Sequence, residues 1–214
     1  MIVHFEILIE DQSGGKAMEI LMPKLLLGDG TTCRVIPYKG IGRISKGLKP
    51  GDANKRQLLN QLPHLLQGYG RVPHCGTIIV ICDLDDRGKE QFLSELQNVL
   101  EGCNPKPETF FFLAIEEFEA WYLGDLDAIR KAYPHAKEGV LSSYINDSIC
   151  GTWELLADAV YKGGHRALRN KGWQAVGAQK TLWAKAISPH MNVDGNSSPS
   201  FNDMYTQLQA TKMK

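Results

Sequence analysis

Apolar runs and amphipathic stretches alternate along the first two thirds of the chain. The runs are rich in β-branched and aromatic residues and predict strands, while apolar residues at helical spacing between them predict helices. We expect strands at 2–10, 32–38, 77–83 and 109–114, and helices at 14–27, 53–66 and 89–100. This alternation is typical of parallel strands joined by helical crossovers, so it predicts an α/β sheet.

The pattern changes after residue 115, where no further strand is predicted. The remaining apolar periodicity predicts helices at 116–123, 126–132, 152–161, 176–187 and 202–210. Polar or glycine-rich segments such as 162–166 join these helices. We therefore expect an α/β domain at 1–125 and a helical C-terminal extension at 126–214 that packs on it.

The third predicted strand ends in acid, because its apolar run Ile78 to Cys82 is followed by Asp83, Leu84 and Asp85. A continuous apolar run of this kind is typical of a strand buried on both faces. Side chains two positions apart in a strand point the same way, with Cα atoms about 6.5 Å apart. Such a pair of carboxylates is suited to a divalent cation.

Two further acids are expected near this pair. Glu10 follows the first strand, and the carboxyl ends of parallel strands meet at one edge of a sheet. Glu119 follows the fourth strand and is expected to point back towards the Asp pair, as a metal ligand or as a group that binds one. Solvation of a strand end would also account for Glu10, and the helix dipole would account for acids in a first helical turn. The next acid, Asp86, is expected to cap the helix that follows.

The charge is balanced over the whole chain but not along it. The formal net charge is zero, so no global field indicates a polyanionic partner. Residues 1–129 carry 13 basic and 18 acidic side chains, whereas residues 130–214 carry 11 basic and 6 acidic ones. Two basic groups could contact the phosphates of a nucleic acid, and a solvated surface would explain them equally well. These groups contain Lys39, Arg43 and Lys46 in one loop, and His165, Arg166 and Lys180 in the C-terminal part.

Composition and motif spacing exclude several classes of protein. The hydrophobic fraction of 43% and the charged fraction of 22% are those of an ordinary globular protein. Five cysteines without a Cys-x-x-Cys pair predict reduced thiols and a cytoplasmic location. No apolar run approaches the roughly 18 residues of a membrane span, so no membrane partner is expected. A phosphate-binding Walker A motif fails at Glu10 and Ala17, and an EF-hand fails at Ser94.

Several segments resemble the DUF4276 family of Toprim-like proteins. They are Ile7-Leu8-Ile9-Glu10, the acidic strand end at Asp83, the stretch 114–121 with Asp125 after it, and Ser198-Pro199-Ser200-Phe201. A Glu on the first strand and Asp-x-Asp on a later one are also similar to the Toprim fold of topoisomerases, primases and nucleases of the overcoming-lysogenisation-defect type. The resemblance implies a Toprim-like, parallel-rich sheet flanked by helices, with the helical extension beyond it.

The same resemblance implies chemistry. It implies a Mg²⁺ or Mn²⁺ site made of Glu10, Asp83 and Asp85, with Glu119 as a further ligand, in a nuclease or related phosphodiester enzyme of bacterial defence or DNA processing. Nucleic acid and a companion ATPase are the partners it suggests. Toprim-like nucleases often carry a second Glu shortly after the first, whereas Asp11 follows Glu10 here, which argues against a full two-metal site.

Two alternatives remain open from the sequence. The strand with Asp83-Leu84-Asp85 also matches the signature of haloacid-dehalogenase-type phosphatases, although that motif usually lies near the N-terminus. The second alternative is a non-enzymatic partner of an ATPase in which the acids have a structural role.

Overall fold

A four-stranded, all-parallel sheet lies at the centre of the part of the chain that the structure describes. The computed structural model describes residues 3–26, 30–44 and 57–212. The strands are β1 (Val3–Ile9), β2 (Thr31–Pro37), β3 (Thr77–Asp83) and β4 (Thr109–Ala114). Their order across the sheet is β2-β1-β3-β4, and every neighbouring pair is parallel. The α/β class predicted from the sequence is confirmed.

Helices connect the strands and make up the C-terminal part of the described chain. They are α1 (Gln12–Leu25), α2 (Leu58–Gly70), α3 (Lys89–Glu101), α4 (Glu119–Leu123), α5 (Leu126–Ala132), α6 (Glu138–Leu141), α7 (Thr152–Val160), α8 (Gly164–Arg169), α9 (Trp173–Ile187), a 3₁₀ helix (Ser188–His190) and α10 (Pro199–Lys212). The sheet flanked by helices, with a helical C-terminal part, is consistent with a Toprim-like fold.

Both faces of the sheet are buried, which explains the continuous apolar runs of β1 and β3. Ile7 and Ile9 belong to a core cluster shared with α1 and the C-terminal helices. Leu8 and Val80 point to the opposite face and pack in a second cluster with α2 and α3. Because side chains alternate along a strand, a strand between two helical layers needs apolar residues at every position.

The strand order creates a switch point between β1 and β3. The chain leaves β1 for β2 on one side, and it then crosses back so that β3 lies on the other side of β1. Connections that diverge in this way open a crevice at the carboxyl ends of the two strands. In the register of the pair, Ile9 lies opposite Ile81. Glu10 and Asp83 therefore follow at the same edge.

The C-terminal helices share a core with the sheet. Helix α9 packs against α1, and α10 packs against β4 and α1. The Lys24 amino group of α1 donates to the carbonyl oxygens of Ser188, Pro189 and Met191 at 3.0, 2.6 and 3.1 Å. This contact holds the end of α9 and its 3₁₀ helix against α1. The predicted division between residues 125 and 126 stays a prediction.

The helices predicted from the sequence do not include α6 and α8, and α1, α4, α9 and α10 begin two or three residues from their predicted starts. Helix α8 begins within the segment 162–166, which the sequence predicts to be a glycine-rich joint. Gly163 and Gly164 do have positive φ angles of 87° and 70°, but helix α8 begins directly at Gly164. The predicted start of the second helix at residue 53 lies outside the described residues. Within the described ranges, none of the helices has the length and apolar character of a membrane span.

Candidate acidic site at the strand ends

Glu10 and Asp83 meet at the switch point. The Asp83 backbone N–H donates to Glu10 Oε2 at 3.1 Å, across the ends of β1 and β3. The Glu10 backbone is fixed as well, since its N–H donates to Ile81 O and its carbonyl accepts from Gly40 N–H. Both acids are partly exposed at this edge. The structure thus brings together the two predicted acids that come from different strands.

Asp11 is an additional acid at this edge that the sequence analysis did not select. It is the N-cap residue of α1, where its carboxylate accepts from Gly14 N–H at 2.7 Å and from Ser13 Oγ at 2.5 Å. Its charge is close enough to raise the pKa values of Glu10 and Asp83. An Asp directly before a Ser-Gly-Gly helix start is a typical capping signal, and that signal could have placed it here.

Asp85 does not follow the strand geometry assumed for it. Strand β3 ends at Asp83, and Asp85 has a left-handed backbone with φ of 50°, so strand alternation does not orient its side chain. Asp85 Oδ2 accepts from Arg87 Nη1 at 3.1 Å. The expected cap at Asp86 is wrong, because the N-cap of α3 is Gly88 and Asp86 is exposed. The helix cap therefore lies two residues after the predicted one, and the turn between β3 and α3 is longer by the same number.

The turn of Asp85 is paired with a second unusual turn at Glu116. The Asp85 N–H donates to Glu116 O at 2.8 Å, and Glu116 also has a positive φ, of 63°. The Glu116 carboxylate accepts from the backbone N–H groups of Cys150, Gly151 and Thr152. It therefore caps the start of α7 from outside the helix. Two non-glycine residues in this sparsely populated conformation lie side by side at the strand ends.

Lys180 bridges two acids that follow β4. Its Nζ lies 3.3 Å from Glu117 Oε2 and 3.2 Å from Glu119 Oε2. The Glu119 side chain is 3% exposed and the Lys180 side chain 14%, so this ion pair is largely withdrawn from water. Lys180 was predicted to be one of the basic residues that contact nucleic acid. The structure places it inside the acidic group, with its ammonium already engaged.

We call Glu10, Asp11, Asp83, Asp85, Glu117, Glu119 and Lys180 together the acidic cluster. Burial raises the pKa of Glu10 to about 7, with Asp85 and Asp11 adding to the rise and the Asp83 N–H opposing it. Burial likewise raises the pKa of Asp83, and Glu10 and Asp11 raise it further. Burial also raises the pKa of Glu117 to about 7, although Lys180 opposes that rise.

Lys180 responds in the opposite sense to its acidic neighbours. Burial alone would lower the pKa of its ammonium, but Glu119, Glu117 and Asp83 outweigh burial and raise it. The raised pKa means that the Lys180 ammonium keeps its charge despite burial. The cluster still contains more acids than Lys180 can neutralise, and burial together with their mutual repulsion raises the carboxyl pKa values. A bound cation would reduce this repulsion.

The side chains do not form a ready chelate in the described conformation. Among the described residues, no three His, Cys, Asp or Glu side chains are grouped closely enough to hold a metal ion. Glu10 Oε2 is used by the Asp83 N–H, Asp85 Oδ2 by Arg87, and Glu119 Oε2 by Lys180. Each of these carboxylates keeps further acceptor positions beside the contact, because its two oxygens offer about four lone pairs, so a divalent cation could bind without displacing the present donors.

The other basic residues predicted for nucleic acid lie at the surface. Lys39 and Arg43 are exposed in the loop after β2, and the neighbouring Gly40 N–H reaches Glu10 O at 2.9 Å. Lys46 lies outside the described residues. Arg166 is exposed on α8, while His165 is partly buried and its Nδ1 lies 2.8 Å from Asp158 Oδ2.

A pocket of about 250 Å³ opens beside the acidic cluster. Its lining combines acids with an aromatic and an aliphatic side chain: Asp85, Asp86, Glu116, Glu117, Ile149, Gly151, Trp153 and Glu154. Trp153 was not among the residues singled out from the sequence, where it appeared only as part of a predicted helix. The cluster is therefore open to a ligand on the side of α7.

The comparisons with known proteins yield one match. No curated protein and no solved structure matches the chain. A family model described as "Domain of unknown function (DUF4276)" matches residues 9–209, which include every acid of the cluster. On the strength of this match over nearly its whole length, the chain belongs to the DUF4276 family.

Proposed function

We propose that this protein is a Mg²⁺- or Mn²⁺-dependent nuclease or a related phosphodiester enzyme that acts at the acidic cluster. The observation that carries the proposal is that Glu10 and Asp83 meet at the ends of adjacent parallel strands, where the Asp83 backbone N–H donates to Glu10 Oε2 at 3.1 Å. Ligands of open α/β sheets bind at this kind of switch point. Carboxyl groups with raised pKa values in a crevice are also typical of functional sites.

The donor chemistry of the cluster fits a hard divalent cation. Glu10, Asp83 and Asp85 would hold it, because they offer carboxylate oxygens at one edge and carry raised pKa values. Glu119 would remain the partner of Lys180. When bound, the cation would polarise a phosphate and activate a water.

The protein's own residues would contribute charge around the cation. Glu10 would bind the cation as a carboxylate, so the proton favoured by its raised pKa of about 7 would leave when the cation binds. Lys180 offsets part of the negative charge next to Asp83, which allows a phosphate to approach. Lys39 lies next to Gly40, whose N–H contacts Glu10 O, so an exposed cation stands beside the strand ends. Contacts of this kind position a nucleic acid backbone.

Cleavage assays with one matched control test the proposal. Plasmid DNA, single-stranded DNA and RNA are incubated with the protein in Mg²⁺ or Mn²⁺. Asp83→Asn is expected to lower the cleavage rate at least about a hundredfold, beyond the 10–100-fold effect of groups that merely support a metal ligand. Glu6→Gln removes a buried charge from β1 away from the strand ends, so it should leave cleavage unchanged. Absence of cleavage with both metals, or full activity of Asp83→Asn, would contradict the proposal.

The two alternatives predict different results in the same set of experiments. Hydrolysis of a small phosphate ester with a phosphorylated Asp83 would identify a haloacid-dehalogenase-type phosphatase. Absence of Mg²⁺ and Mn²⁺ binding by calorimetry, together with a stable complex with an ATPase, would identify a non-enzymatic partner.

A further inference from the structure

Trp173, the first residue of α9, is unusually exposed. Its relative exposure is 65%, whereas Trp121 and Trp183 are fully buried and Trp153 is 4% exposed. An exposed tryptophan leaves a large apolar ring in water, and tryptophan is enriched at interfaces because it combines an apolar ring with a polar N–H. The ring is nevertheless held in place by its neighbours.

Two side chains fix the Trp173 ring. The Trp153 ring lies 6.2 Å away, centroid to centroid, at an interplanar angle of 64°. The Arg169 guanidinium lies over the Trp173 ring, 5.1 Å from its centroid. A rigid aromatic ring with an arginine over it offers both a π-face and a positive charge.

Trp153 connects this group to the acidic cluster. It lines the pocket of about 250 Å³ together with Asp85 and Glu117. Trp153 thus borders both the exposed Trp173 ring and the pocket beside the proposed site of chemistry. A ligand that contacts both Trp173 and the acidic cluster would place an aromatic group on the Trp173 ring. Its anionic group would lie near the acids, where the proposed cation would be held.

The surrounding charge favours a polyanion. Residues 159–193 contain six Lys and Arg side chains and no Asp or Glu, and all six except Lys180, which is engaged by Glu117 and Glu119, are exposed. Arg166, Arg169 and Lys171 are all exposed in the segment that leads into α9. Asp158, the acid that precedes this segment, is engaged by the His165 N–H and by His165 Nδ1, both at 2.8 Å. The ring of Trp173 therefore stands in a locally basic surface.

We propose that Trp173, Trp153 and Arg169 form a stacking platform for a base of single-stranded nucleic acid, whose adjoining phosphate reaches the acidic cluster. The proposal deepens the proposed function, on which its second half rests. Bases of a duplex are stacked on each other, whereas an unpaired base can stack on an aromatic side chain. The platform therefore selects single strands. Arg166 and Lys171 would lie next to the phosphate backbone of the bound strand.

Binding of short oligonucleotides tests the platform directly. Fluorescently labelled oligo(dT), oligo(rU) and a DNA duplex of equal length are titrated with protein carrying Asp83→Asn, so that they are not cut. In this background Trp173→Ala is expected to weaken single-strand binding about tenfold or more, because one stacked base contributes about that much. Trp173→Phe retains a ring and should bind within about threefold of the parent, since unpaired bases stack on Phe as well as on Trp.

A matched control lies on the same helix. Leu182 is also exposed, at 53%, and lies nine residues along α9 from Trp173, which is 2.5 turns and hence the opposite face. Leu182→Ala should leave binding unchanged. Quenching of the intrinsic fluorescence by unlabelled oligo(dT) should be strong in the parent and largely lost in Trp173→Phe, because the other three tryptophans, Trp121, Trp153 and Trp183, are buried.

The outcomes separate the platform from the proposed function. If oligonucleotide binding depends on Trp173 but the wild-type protein cleaves no nucleic acid, the result would support the platform and overturn the proposed nuclease activity. Asp83-dependent cleavage with equal oligonucleotide binding by the parent and Trp173→Ala would overturn the platform alone. Equal affinity for duplex and single strand would also overturn it. A dimer in sedimentation experiments that is lost in Trp173→Ala and unaffected by oligo(dT) would assign the ring to a second copy of the chain instead.

Discussion

Glu6 and Glu10 are acids of the same strand segment with different surroundings. Glu6, within β1, is 7% exposed and is bound by Arg34 Nε at 2.9 Å, Tyr69 OH at 3.2 Å and His4 Nε2 at 3.2 Å. Among the described residues, Glu10 receives one side-chain hydrogen bond, from the Asp83 N–H. Its other close charges are mostly negative.

The difference separates acids that stabilise the fold from acids that are available to a ligand. Glu6 is matched by a guanidinium and two further polar groups, and Glu116 by three backbone N–H groups. A buried acid with such partners contributes to stability, whereas one without them costs free energy. Glu10, with its pKa raised to about 7, belongs to the second kind. The fold keeps such a group at a strand end, where a cation or substrate can reach it.

The largest expected effect comes from removing the positive charge of Lys180 from the acidic cluster. Lys180→Met leaves Glu117 and Glu119 without the ammonium that lies 3.3 and 3.2 Å from them. Removing one partner of a buried ion pair costs about 3–5 kcal/mol, so the free energy of unfolding at pH 8 should fall by that amount. The loss should be smaller at pH 6, where the two acids can take up protons. Urea denaturation at both pH values measures the change.

A lysine on the same helix provides the control for this variant. Lys185 is exposed on α9, so Lys185→Met should change the free energy of unfolding by less than about 0.5 kcal/mol, as surface substitutions usually do. If Lys180→Met changed the free energy of unfolding as little as Lys185→Met, the ion pair with Glu117 and Glu119 would not be what stabilises the buried acids.

A matched pair of substitutions tests the comparison of Glu6 with Glu10 itself. Glu10→Gln should raise the free energy of unfolding of the metal-free protein at pH 8 by about 1–3 kcal/mol, because each unit of raised pKa corresponds to 1.36 kcal/mol. Glu6→Gln should lower it by about 1–2 kcal/mol, because charged hydrogen bonds to Arg34 and Tyr69 are lost. Effects of the same sign in urea denaturation would mean that the two acids are not different in kind.

The elements that could be predicted from the sequence are those encoded by short-range patterns. The bounds of β3, β4 and α5 were predicted as observed, because apolar runs and helical spacing are local signals. The edge position of Glu10 and Asp83 followed from the parallel topology. The orientation of Asp85 did not follow, because the strand ends before it and its backbone is left-handed, with a hydrogen bond to Glu116, which is distant in sequence.

The position of Lys180 shows what the sequence analysis missed. On α9, Lys180 is spaced at helical intervals from the buried residues Val176, Trp183 and Ala184, so it lies within the apolar stripe. A lysine in such a stripe predicts a buried acidic partner, since an unpaired buried charge is too costly. Which acids it would meet could not be predicted, because Glu117 and Glu119 lie about 60 residues away in sequence.

The smallest expected effect, and the one that joins stability to metal binding, is the pH dependence. The folded pKa of Glu10, about 7, lies above its ordinary value of 4.5, so its contribution to stability is fully present below pH 4.5 and is lost as the pH rises through 7. The melting temperature of the metal-free protein should therefore fall between pH 5 and pH 8 by less in Glu10→Gln than in the wild type, the slope per proton being about 1.4 kcal/mol per pH unit. The proposed Mg²⁺ site requires deprotonated acids, so the ion should raise the melting temperature most at pH 8 and have little effect at pH 5. An Mg²⁺ effect equal at both pH values, or retained in full by Glu10→Gln, would show that the ion binds elsewhere.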